Sequence, residues 1–248
     1  MAKNIQQSLD GTQKAEIVIN TYMERSLHAS LKKIFCPDEA FHEVKIGRYV
    51  ADACDGKTIF EIQTGNFAPL RKKIQFYLEN TEFNIVIVRP LAQNRRIFWL
   101  DEASGEIKKA PRMSSKHENL ASGIADINYI SEFLGVDRVS FCFVLMEIDE
   151  IRKLDGYGKD KKVRATSVDR LAGEIYSTVY INSKDDIVRE LSPLLPDGEF
   201  SREELSKALK LKGLKLWSAQ KLLLEKDILS CKKDGRRLVF SKNILDKY

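Results

Sequence analysis

The feature that most constrains the fold is a run of short strands that leads through a helix into an apolar strand. Residues 41–46, 48–53 and 58–64 have the alternating, β-branched character of strands, and residues 83–88 are apolar almost throughout, which is typical of a strand buried on both faces. Residues 69–79 have apolar side chains at helical spacing. A strand–helix–strand crossover favours parallel pairing, so the sequence predicts an α/β fold with a mixed central sheet flanked by helices.

Outside this run the pattern is weaker, and it predicts three parts. The other predicted elements are helices over residues 15–35, 124–134, 167–179 and 183–191, strands over 96–100 and 139–148, and a mobile basic loop over 108–119. Residues 154–164 are glycine-rich and charged, which is typical of a domain boundary. We therefore predict an α/β domain over residues 1–155, a helical connector over 156–198 and a small domain over 199–248.

The last fifty residues have a pattern of their own. Ser201 and Glu204 have the spacing of a capping box, and helices are predicted over 201–209 and 216–225, followed by a two-stranded wing that turns at 233–235. This order resembles a winged-helix domain. The segment has thirteen Lys and Arg against seven Asp and Glu, whereas the whole chain has a net charge of only +5. Such a basic module favours an anionic partner, with nucleic acid the first candidate, and the alternative is a solvated basic surface.

Cysteine usage and apolar runs argue against several classes of protein. The four cysteines are scattered singly, with no CxxC or paired Cys/His spacing, so neither a zinc site nor a disulfide framework is predicted. The longest apolar runs, such as residues 141–146, are too short to cross a membrane. The first eleven residues are polar and have no apolar signal core. We expect a cytoplasmic protein without a membrane partner.

The candidate chemistry lies on the hairpin formed by residues 48–64. A two-residue turn at Asp55-Gly56, which the Asp-Gly pair favours, would set Asp52 opposite Ile59. Directly opposed residues share a face of a sheet, as do residues two apart on one strand. Asp52, Glu61 and Gln63 are therefore expected on one face, with Glu61 diagonal to Asp52.

Two carboxylates on one face suit a hard divalent cation. Mg²⁺ prefers oxygen ligands, commonly one or two carboxylates together with water and phosphate oxygens. Asp52 and Glu61 would supply the carboxylates, and the backbone carbonyl of Ile62 a further oxygen, for Mg²⁺ or Mn²⁺. Such a cation polarises a phosphate and lowers the pKa of bound water. The alternative is the polar solvent face of an ordinary hairpin.

The order helix, strand, Asp-bearing strand, Glu-x-Gln strand, helix and buried strand resembles the PD-(D/E)xK nuclease superfamily. The resemblance covers roughly residues 16–100 and depends on Asp52 and on Glu61 to Gln63. It implies a restriction-endonuclease-like fold, a metal bound by Asp52 and Glu61, and hydrolysis of phosphodiester bonds in DNA. It also implies a further glutamate from the first helix, for which Glu24 has the right position. An exposed helical glutamate is the alternative for Glu24.

One residue departs from the superfamily pattern. The usual third residue is lysine, whereas this chain has Gln63, a pattern that resembles some active restriction endonucleases. Glutamine carries no charge and is no general base, but it can position water by hydrogen bonding. Lys45, Lys72 or Lys73 could supply the missing cation, and the sequence does not select among them.

Further candidates surround this motif. His28 lies four residues after Glu24, on the same helical face, as a proton carrier or phosphate contact, or else as a structural histidine. Residues 64–66 lead to a helix start near Pro69, where backbone N–H groups can bind phosphate. The residues expected to contact nucleic acid are Arg71, Lys72 and Lys73, then Lys215, Gln220 and Lys221, and on the wing Lys232, Lys233, Arg236 and Arg237. Trp217 is expected in the core rather than stacked on a base.

The sequence thus supports a first hypothesis and two alternatives. The first is a Mg²⁺-dependent deoxyribonuclease with Asp52, Glu61, Gln63, Glu24 and His28 in its site and a C-terminal module that holds the DNA. The second is a DNA-binding protein that keeps a nuclease-like scaffold without cleaving. The third is a protein-interaction adaptor. Homodimerisation, which is common in the superfamily, stays open.

Overall fold

The computed structural model describes residues 26–101, 107–153, 165–235 and 237–243. They form an α/β fold with a seven-stranded mixed sheet and a separate three-stranded sheet. The chain groups into two compact units. The first unit comprises Met1–Leu31, Ala92–His117 and Met146–Glu174, and the second comprises Lys32–Leu91, Glu118–Leu145 and Ile175–Tyr248.

The first part of the described chain has the predicted order of helix, three strands, helix and strand. The elements are α1 (Leu27–Phe35), β1 (His42–Ile46), β2 (Tyr49–Cys54), β3 (Thr58–Ile62), α2 (Arg71–Asn80) and β4 (Asn84–Leu100). Strands β1, β2 and β3 pair antiparallel, and β3 pairs parallel with β4. The prediction of a mixed sheet with a parallel crossover is confirmed. Of the predicted first helix, residues 15–25 lie outside the described residues.

The middle of the chain adds strands at the end of the sheet beyond β4. The elements are β5 (Ile107–Met113), α3 (Leu120–Ile127), β6 (Val139–Lys153), β7 (Thr166–Ile181) and α4 (Lys184–Leu191). The strand order is β1-β2-β3-β4-β6-β7, with β5 paired to β4. Short 3₁₀ helices occupy Glu39–Phe41, Ala68–Leu70, Asn128–Phe133 and Ser192–Leu194.

Three predictions for this middle part are wrong. The two strands expected over 83–88 and 96–100 form one strand, β4, in which Pro90 lies between the stretch that pairs with β3 and the stretch that pairs with β5. The loop expected over 108–119 is partly strand β5. The helix expected over 167–179 is strand β7, in agreement with its β-branched and tyrosine-rich composition. The boundary proposed at 154–164 lies outside the described residues.

The C-terminal residues of the second unit form the small sheet with two helices. The elements are β8 (Glu199–Ser201), α5 (Arg202–Leu209), α6 (Gly213–Glu225), β9 (Leu229–Asp234) and β10 (Arg237–Lys242), with sheet order β8-β10-β9. The predicted capping box is confirmed, since Ser201 N donates to Glu204 Oε2 at 2.7 Å and Glu204 N donates to Ser201 Oγ at 3.2 Å. The two helices and the hairpin were predicted, whereas β8 was not.

Each unit has its own hydrophobic core. In the second unit one cluster of buried side chains extends from the large sheet to the small one and includes Ile59, Ile74, Phe141, Leu222 and Phe240. In the first unit Phe98, Ile151 and Leu171 pack together with Leu100. None of the helices in the described part combines the length and the apolar character needed to cross a lipid bilayer.

Candidate functional site

The turn between β2 and β3 sets the register of the candidate site. Cys54 pairs with Ile59 rather than with Lys57, its expected partner. Asp55 Oδ1 accepts hydrogen bonds from Lys57 N at 2.8 Å and from Thr58 N at 2.7 Å. Asp55 N also donates to Thr58 O at 3.2 Å, so the turn is at Gly56-Lys57, where the Asp55 side chain caps it as in Asx turns, and the predicted turn at Asp55-Gly56 is wrong.

This correction changes the partner of Asp52 but not its face. Asp52 lies two residues before Cys54 and Glu61 two residues after Ile59, so all four side chains share one face. Strand side chains alternate with a period of two, and a register error of two residues therefore leaves the face intact. Continuing the ladder by one pair sets Asp52 opposite Glu61 rather than opposite Ile59.

Glu61 is a buried carboxylate held by two side chains of α2. It is only 2% exposed. Lys73 Nζ donates to Glu61 Oε2 at 2.6 Å, and the Tyr77 hydroxyl donates to Oε1 at 3.1 Å. Burial raises the pKa of Glu61 to about 7; Lys73 and the Tyr77 hydroxyl oppose that rise, and the negative charge of Asp52 adds to it. Ionising this carboxylate is therefore costly without further positive charge nearby.

Helix α2 presents Lys73 and Tyr77 on one face, and its carboxyl end is held in place by Arg138. Lys73 and Tyr77 are four residues apart and lie on one helical face. The carboxyl end of α2 is held by Arg138, which has a positive φ of 71°. The Arg138 guanidinium donates to Leu78 O at 3.1 Å and to Thr81 O at 2.7 Å. These bonds satisfy carbonyl groups that a helix end leaves without a partner in the helix.

Asp52 and the adjacent backbone complete the candidate cation site. Asp52 is half-buried, and its Oδ2 accepts a hydrogen bond from Ile62 N at 2.7 Å, so the backbone of Ile62 lies beside this carboxylate. No group of three or more His, Cys, Asp or Glu side chains forms among the described residues. A set of two carboxylates fits Mg²⁺, which is commonly held by one or two carboxylates together with water and phosphate oxygens.

The remaining predicted site residues have different environments. Gln63 Nε2 donates to Asn66 O at 2.7 Å, so its amide braces the loop after β3. His28 is half-buried in the first turn of α1 and belongs to the first unit, whereas Asp52, Glu61, Lys73 and Tyr77 belong to the second. Glu24 lies outside the described residues. The roles of Glu24 and His28 therefore stay predictions.

The three basic residues at the start of α2 differ in their contacts with acidic groups of the protein. Arg71 forms an ion pair with Glu132 and donates to Tyr129 O, so its charge is compensated within the protein. Lys72 is exposed. Lys73, which contacts Glu61, is only 18% exposed in its side chain. Of the three lysines that could replace the missing motif lysine, Lys73 is the one in contact with the motif.

Several basic residues predicted to bind nucleic acid make contacts within the protein. Lys215 binds Asp126 and Ser122 O on α3, which favours a structural role over the predicted one. Lys221 pairs with Glu225 at 3.4 Å, and Lys232 pairs with Glu199. Lys233 and Arg237 are exposed and Gln220 is half-buried, while Arg236 lies outside the described residues.

The prediction that Trp217 belongs to the core is wrong. Trp217 is 48% exposed on α6, and Lys221 Nζ lies 5.5 Å from the centre of its ring. The core positions of α6 are taken by Leu216, Ala219 and Leu222. With these three side chains packed inward, Trp217 lies on the outer side of the helix.

Sequence reasoning also missed a second buried charged cluster, centred on Asp126. Asp126 is 1% exposed and contacts Arg89 Nε at 3.3 Å as well as Lys215. Arg89 also binds Glu118 at 2.8 Å. The signal that could have revealed the cluster is Arg89 itself, because an arginine directly after an apolar strand needs a buried partner.

Comparison with known proteins gives a family for this chain. The family described as Domain of unknown function (DUF8091) matches residues 25–182, which is more than half of the chain. The chain belongs to this family. An uncharacterized protein from Treponema pallidum (strain Nichols) is 26% identical over 183 residues, which are 73% of this chain and 71% of that protein. No solved structure matches. The DUF8091 match includes Asp52, Glu61, Lys73 and Tyr77 and ends before α4.

Proposed function

We propose that the DUF8091 domain of this chain is a metal-dependent nuclease that hydrolyses phosphodiester bonds in DNA. The observation that carries the proposal is the contact of 2.6 Å between Lys73 Nζ and Glu61 Oε2, on the face shared with Asp52. A lysine beside the Glu-x-Gln motif supplies the cation that Gln63 lacks. The motif thus has both carboxylates and an ammonium group, although the ammonium comes from α2 instead of β3.

The strand order supports the same proposal. From α1 to β4 the order is helix, three antiparallel strands, helix and one parallel strand, which is the arrangement expected from the PD-(D/E)xK resemblance. Asp52 and Glu61 come from neighbouring antiparallel strands and share a face. The parallel crossover through α2 then lays Lys73 and Tyr77 over that face.

The residues of the site have distinct roles in this proposal. Asp52 and Glu61 would hold a Mg²⁺ or Mn²⁺ ion, which neutralises charge on a phosphate and lowers the pKa of bound water. The Tyr77 hydroxyl fixes one oxygen of Glu61. The Lys73 ammonium carries a proton at Nζ that can be donated in a hydrogen bond to a phosphate oxygen. Gln63, through Asn66, holds the loop that follows β3.

A second candidate function is supported by how completely the site is satisfied within the protein. Each oxygen of Glu61 accepts a hydrogen bond from a side chain of α2, and Asp52 Oδ2 accepts one from Ile62 N. A site whose carboxylate oxygens are hydrogen-bonded within the protein is also expected in a scaffold that has lost catalysis. In this alternative the protein binds DNA through its C-terminal module and does not cleave it.

The topology of that module supports a winged-helix-like domain in both alternatives. The order of α4, β8, α5, α6, β9 and β10, with sheet order β8-β10-β9, is that of a helix, a strand, two helices and a wing. Winged helices hold nucleic acid with a helix and the wing. Lys233 and Arg237, on the hairpin, are exposed.

The test is a cleavage assay with matched carboxylate variants. Plasmid, linear and single-stranded DNA are incubated with Mg²⁺ or Mn²⁺, and wild type is compared with Glu61→Ala and with Glu79→Ala, which removes an exposed glutamate of α2. We expect metal-dependent cleavage that Glu61→Ala abolishes and Glu79→Ala retains. Salt-sensitive DNA binding without cleavage would favour the second candidate. Absence of DNA binding at low salt would refute both and leave the adaptor hypothesis.

A further inference from the structure

Helix α6 leaves one face uncovered, and that face is apolar and aromatic. Leu214 is 78% exposed and Trp217 48% exposed, and with Lys221 they lie three to four residues apart, on one side of the helix. We name these three residues the α6 face. Adjoining exposed apolar side chains form the kind of surface at which proteins bind partners.

The other sides of α6 are occupied within the second unit. Leu216, Ala219 and Leu222 are buried, and Lys215 is bound to Asp126 and to Ser122 O on α3. A winged-helix recognition helix that enters the major groove needs its polar side free. Lys215 is engaged by α3, whereas Leu214 and Trp217 on the α6 face are exposed.

Basic residues line a groove that α6 shares with α5, and the Lys221 ammonium on the α6 face is paired with Glu225 at 3.4 Å. The groove between α5 and α6 is lined by basic residues with a single acidic one, and its lining is Arg202, Glu203, Ser206, Lys207, Lys212, Gly213 and Leu216. Lys221 Nζ lies 5.5 Å from the centre of the Trp217 ring. The nearby carboxylate of Glu204 is bonded to Ser201 in the capping box. The charge of the groove is therefore complementary to a polyanion.

We propose that the α6 face binds single-stranded nucleic acid, with Trp217 stacking on an unpaired base and Arg202, Lys207 and Lys212 binding the phosphates. An exposed indole beside a basic groove is the combination by which proteins bind single strands without sequence preference. In a duplex the flat faces of the bases are stacked on one another, and only their edges are open to a protein. The inference rests on the proposed function and names its substrate class as nucleic acid with an unpaired stretch.

The experiment uses Trp217 as its own reporter. The chain has two tryptophans, so Trp99→Phe leaves Trp217 as the sole source of tryptophan fluorescence. This variant is combined with Glu61→Gln and titrated with single-stranded oligo-dT in EDTA, so that no cleavage occurs. We expect the fluorescence to be quenched on binding and the affinity to fall with added salt. Quenching by the duplex of the same length at equal affinity would overturn the proposal.

Affinity variants separate stacking from charge. In the Glu61→Gln background with Trp99 intact, Trp217→Ala is expected to weaken oligo-dT binding about tenfold, whereas Trp217→Phe, which keeps a stacking ring, stays within about threefold. Binding to these variants is followed by the anisotropy of labelled oligo-dT, and circular dichroism confirms folding. The matched control is Leu194→Ala, which truncates a leucine that is 51% exposed on another element and is expected to bind as the parent does. Unchanged affinity of Trp217→Ala would overturn the proposal, as would competition by polyglutamate but not by oligo-dT.

Failure of this inference can be told apart from failure of the proposed function. Binding is measured without divalent metal and does not depend on cleavage. If Trp217→Ala binds oligo-dT normally while wild type cleaves DNA with Mg²⁺, the stacking proposal alone is refuted. If Trp217→Ala loses oligo-dT binding while wild type never cleaves, the nuclease proposal alone is refuted.

Discussion

Two buried carboxylates of the second unit, Glu61 and Asp126, differ in the charges that surround them. Both are almost fully buried, at 2% and 1% exposure. Asp126 contacts two cations, Arg89 and Lys215. Glu61 contacts one cation, Lys73, and the charge of Asp52 acts against that cation.

The difference distinguishes a structural joint from a candidate site. A buried carboxylate between two cations is compensated, and its ion pairs fix α6 against α3. Glu61 is compensated incompletely, and its pKa is raised to about 7. Strongly perturbed carboxylates of this kind cluster at functional sites. We therefore predict that substitutions at Glu61 reduce DNA cleavage more than substitutions at Asp126 do. Substitutions at Asp126 should lower the free energy of unfolding more.

Among changes to the partners of Glu61, the largest effect is expected from Lys73→Met, which removes the ammonium but keeps much of the side chain. Cleavage of DNA should fall by about 10²- to 10³-fold, the usual cost of removing one hydrogen-bond donor that faces developing negative charge. Lys33→Met, at an exposed position of α1, is the control and should cleave at the wild-type rate. The measurement is the initial rate at saturating Mg²⁺. Equal rates for the two variants would mean that Lys73 only neutralises Glu61.

Removing the Asp126 carboxylate should lower the free energy of unfolding without abolishing DNA cleavage. Asp126→Ala leaves Arg89 buried and without this partner, which typically costs about 3–5 kcal/mol of the free energy of unfolding. Asp137→Ala removes an exposed carboxylate and should change that free energy by no more than about 0.5 kcal/mol. Urea unfolding measures both. A fully folded Asp126→Ala protein that has lost all cleavage would contradict the division of roles.

The raised pKa of Glu61 predicts a pH dependence of stability in the metal-free protein. Between pH 4.5, the ordinary value, and about 7, the folded protein keeps a proton on Glu61 that the unfolded chain has lost. Stability from this group therefore falls as pH rises through that window and is flat above it. The slope is at most about 1.4 kcal/mol per pH unit.

The pH prediction is tested by urea unfolding in EDTA. Glu61→Gln has no ionisable group at this position, so its stability relative to wild type should rise steadily across the window. Glu79→Gln, on the exposed side of α2, serves as the control and should parallel wild type. Parallel curves for wild type and Glu61→Gln would show that Lys73 compensates Glu61 fully, as two cations do for Asp126.

The smallest effect is expected from Tyr77→Phe, which removes one hydroxyl from the Glu61 cluster. The variant loses a hydrogen bond that lowers the pKa of Glu61, so we expect a loss of about 1 kcal/mol of unfolding free energy above pH 7. Tyr49→Phe is the control, because its ring packs 6.2 Å from that of Tyr77 and no hydrogen bond of its hydroxyl is found among the described residues. Equal losses in the two variants would assign the effect to packing.

Much of the fold could be predicted from local patterns. The order from α1 to β4, the helices α5 and α6 and the hairpin of β9 and β10 follow from periodicity, turn residues and the Ser201 capping box. Strand β7 could not be assigned, because apolar residues such as Leu171 and Ile175 are also compatible with helical spacing. Its pairing in the sheet decides the outcome, and pairing is not a local property.

The candidate site could be predicted in part. Asp52 and Glu61 share a face whenever the hairpin register changes by an even number of residues, so an incorrect turn position did not change this prediction. The contact of Lys73 with Glu61 depends on how α2 is rotated over the sheet, which is set by packing of Ile74 and Tyr77. The exposure of Trp217 depends on α3, which lies far away in the sequence. Contacts between segments that are distant in the sequence cannot be predicted from the pattern of either segment alone.

The cap on α2 has a consequence for the order in which the nascent protein matures. Arg138 donates to carbonyls of Thr81 and Leu78, which precede it by 57 and 60 residues. At about 5–20 residues per second of synthesis, the helix that carries Lys73 waits about 3–12 s on the ribosome for the residue that anchors its end. The carboxylates of the hairpin are translated early, but the geometry around them is completed only by chain that is translated much later.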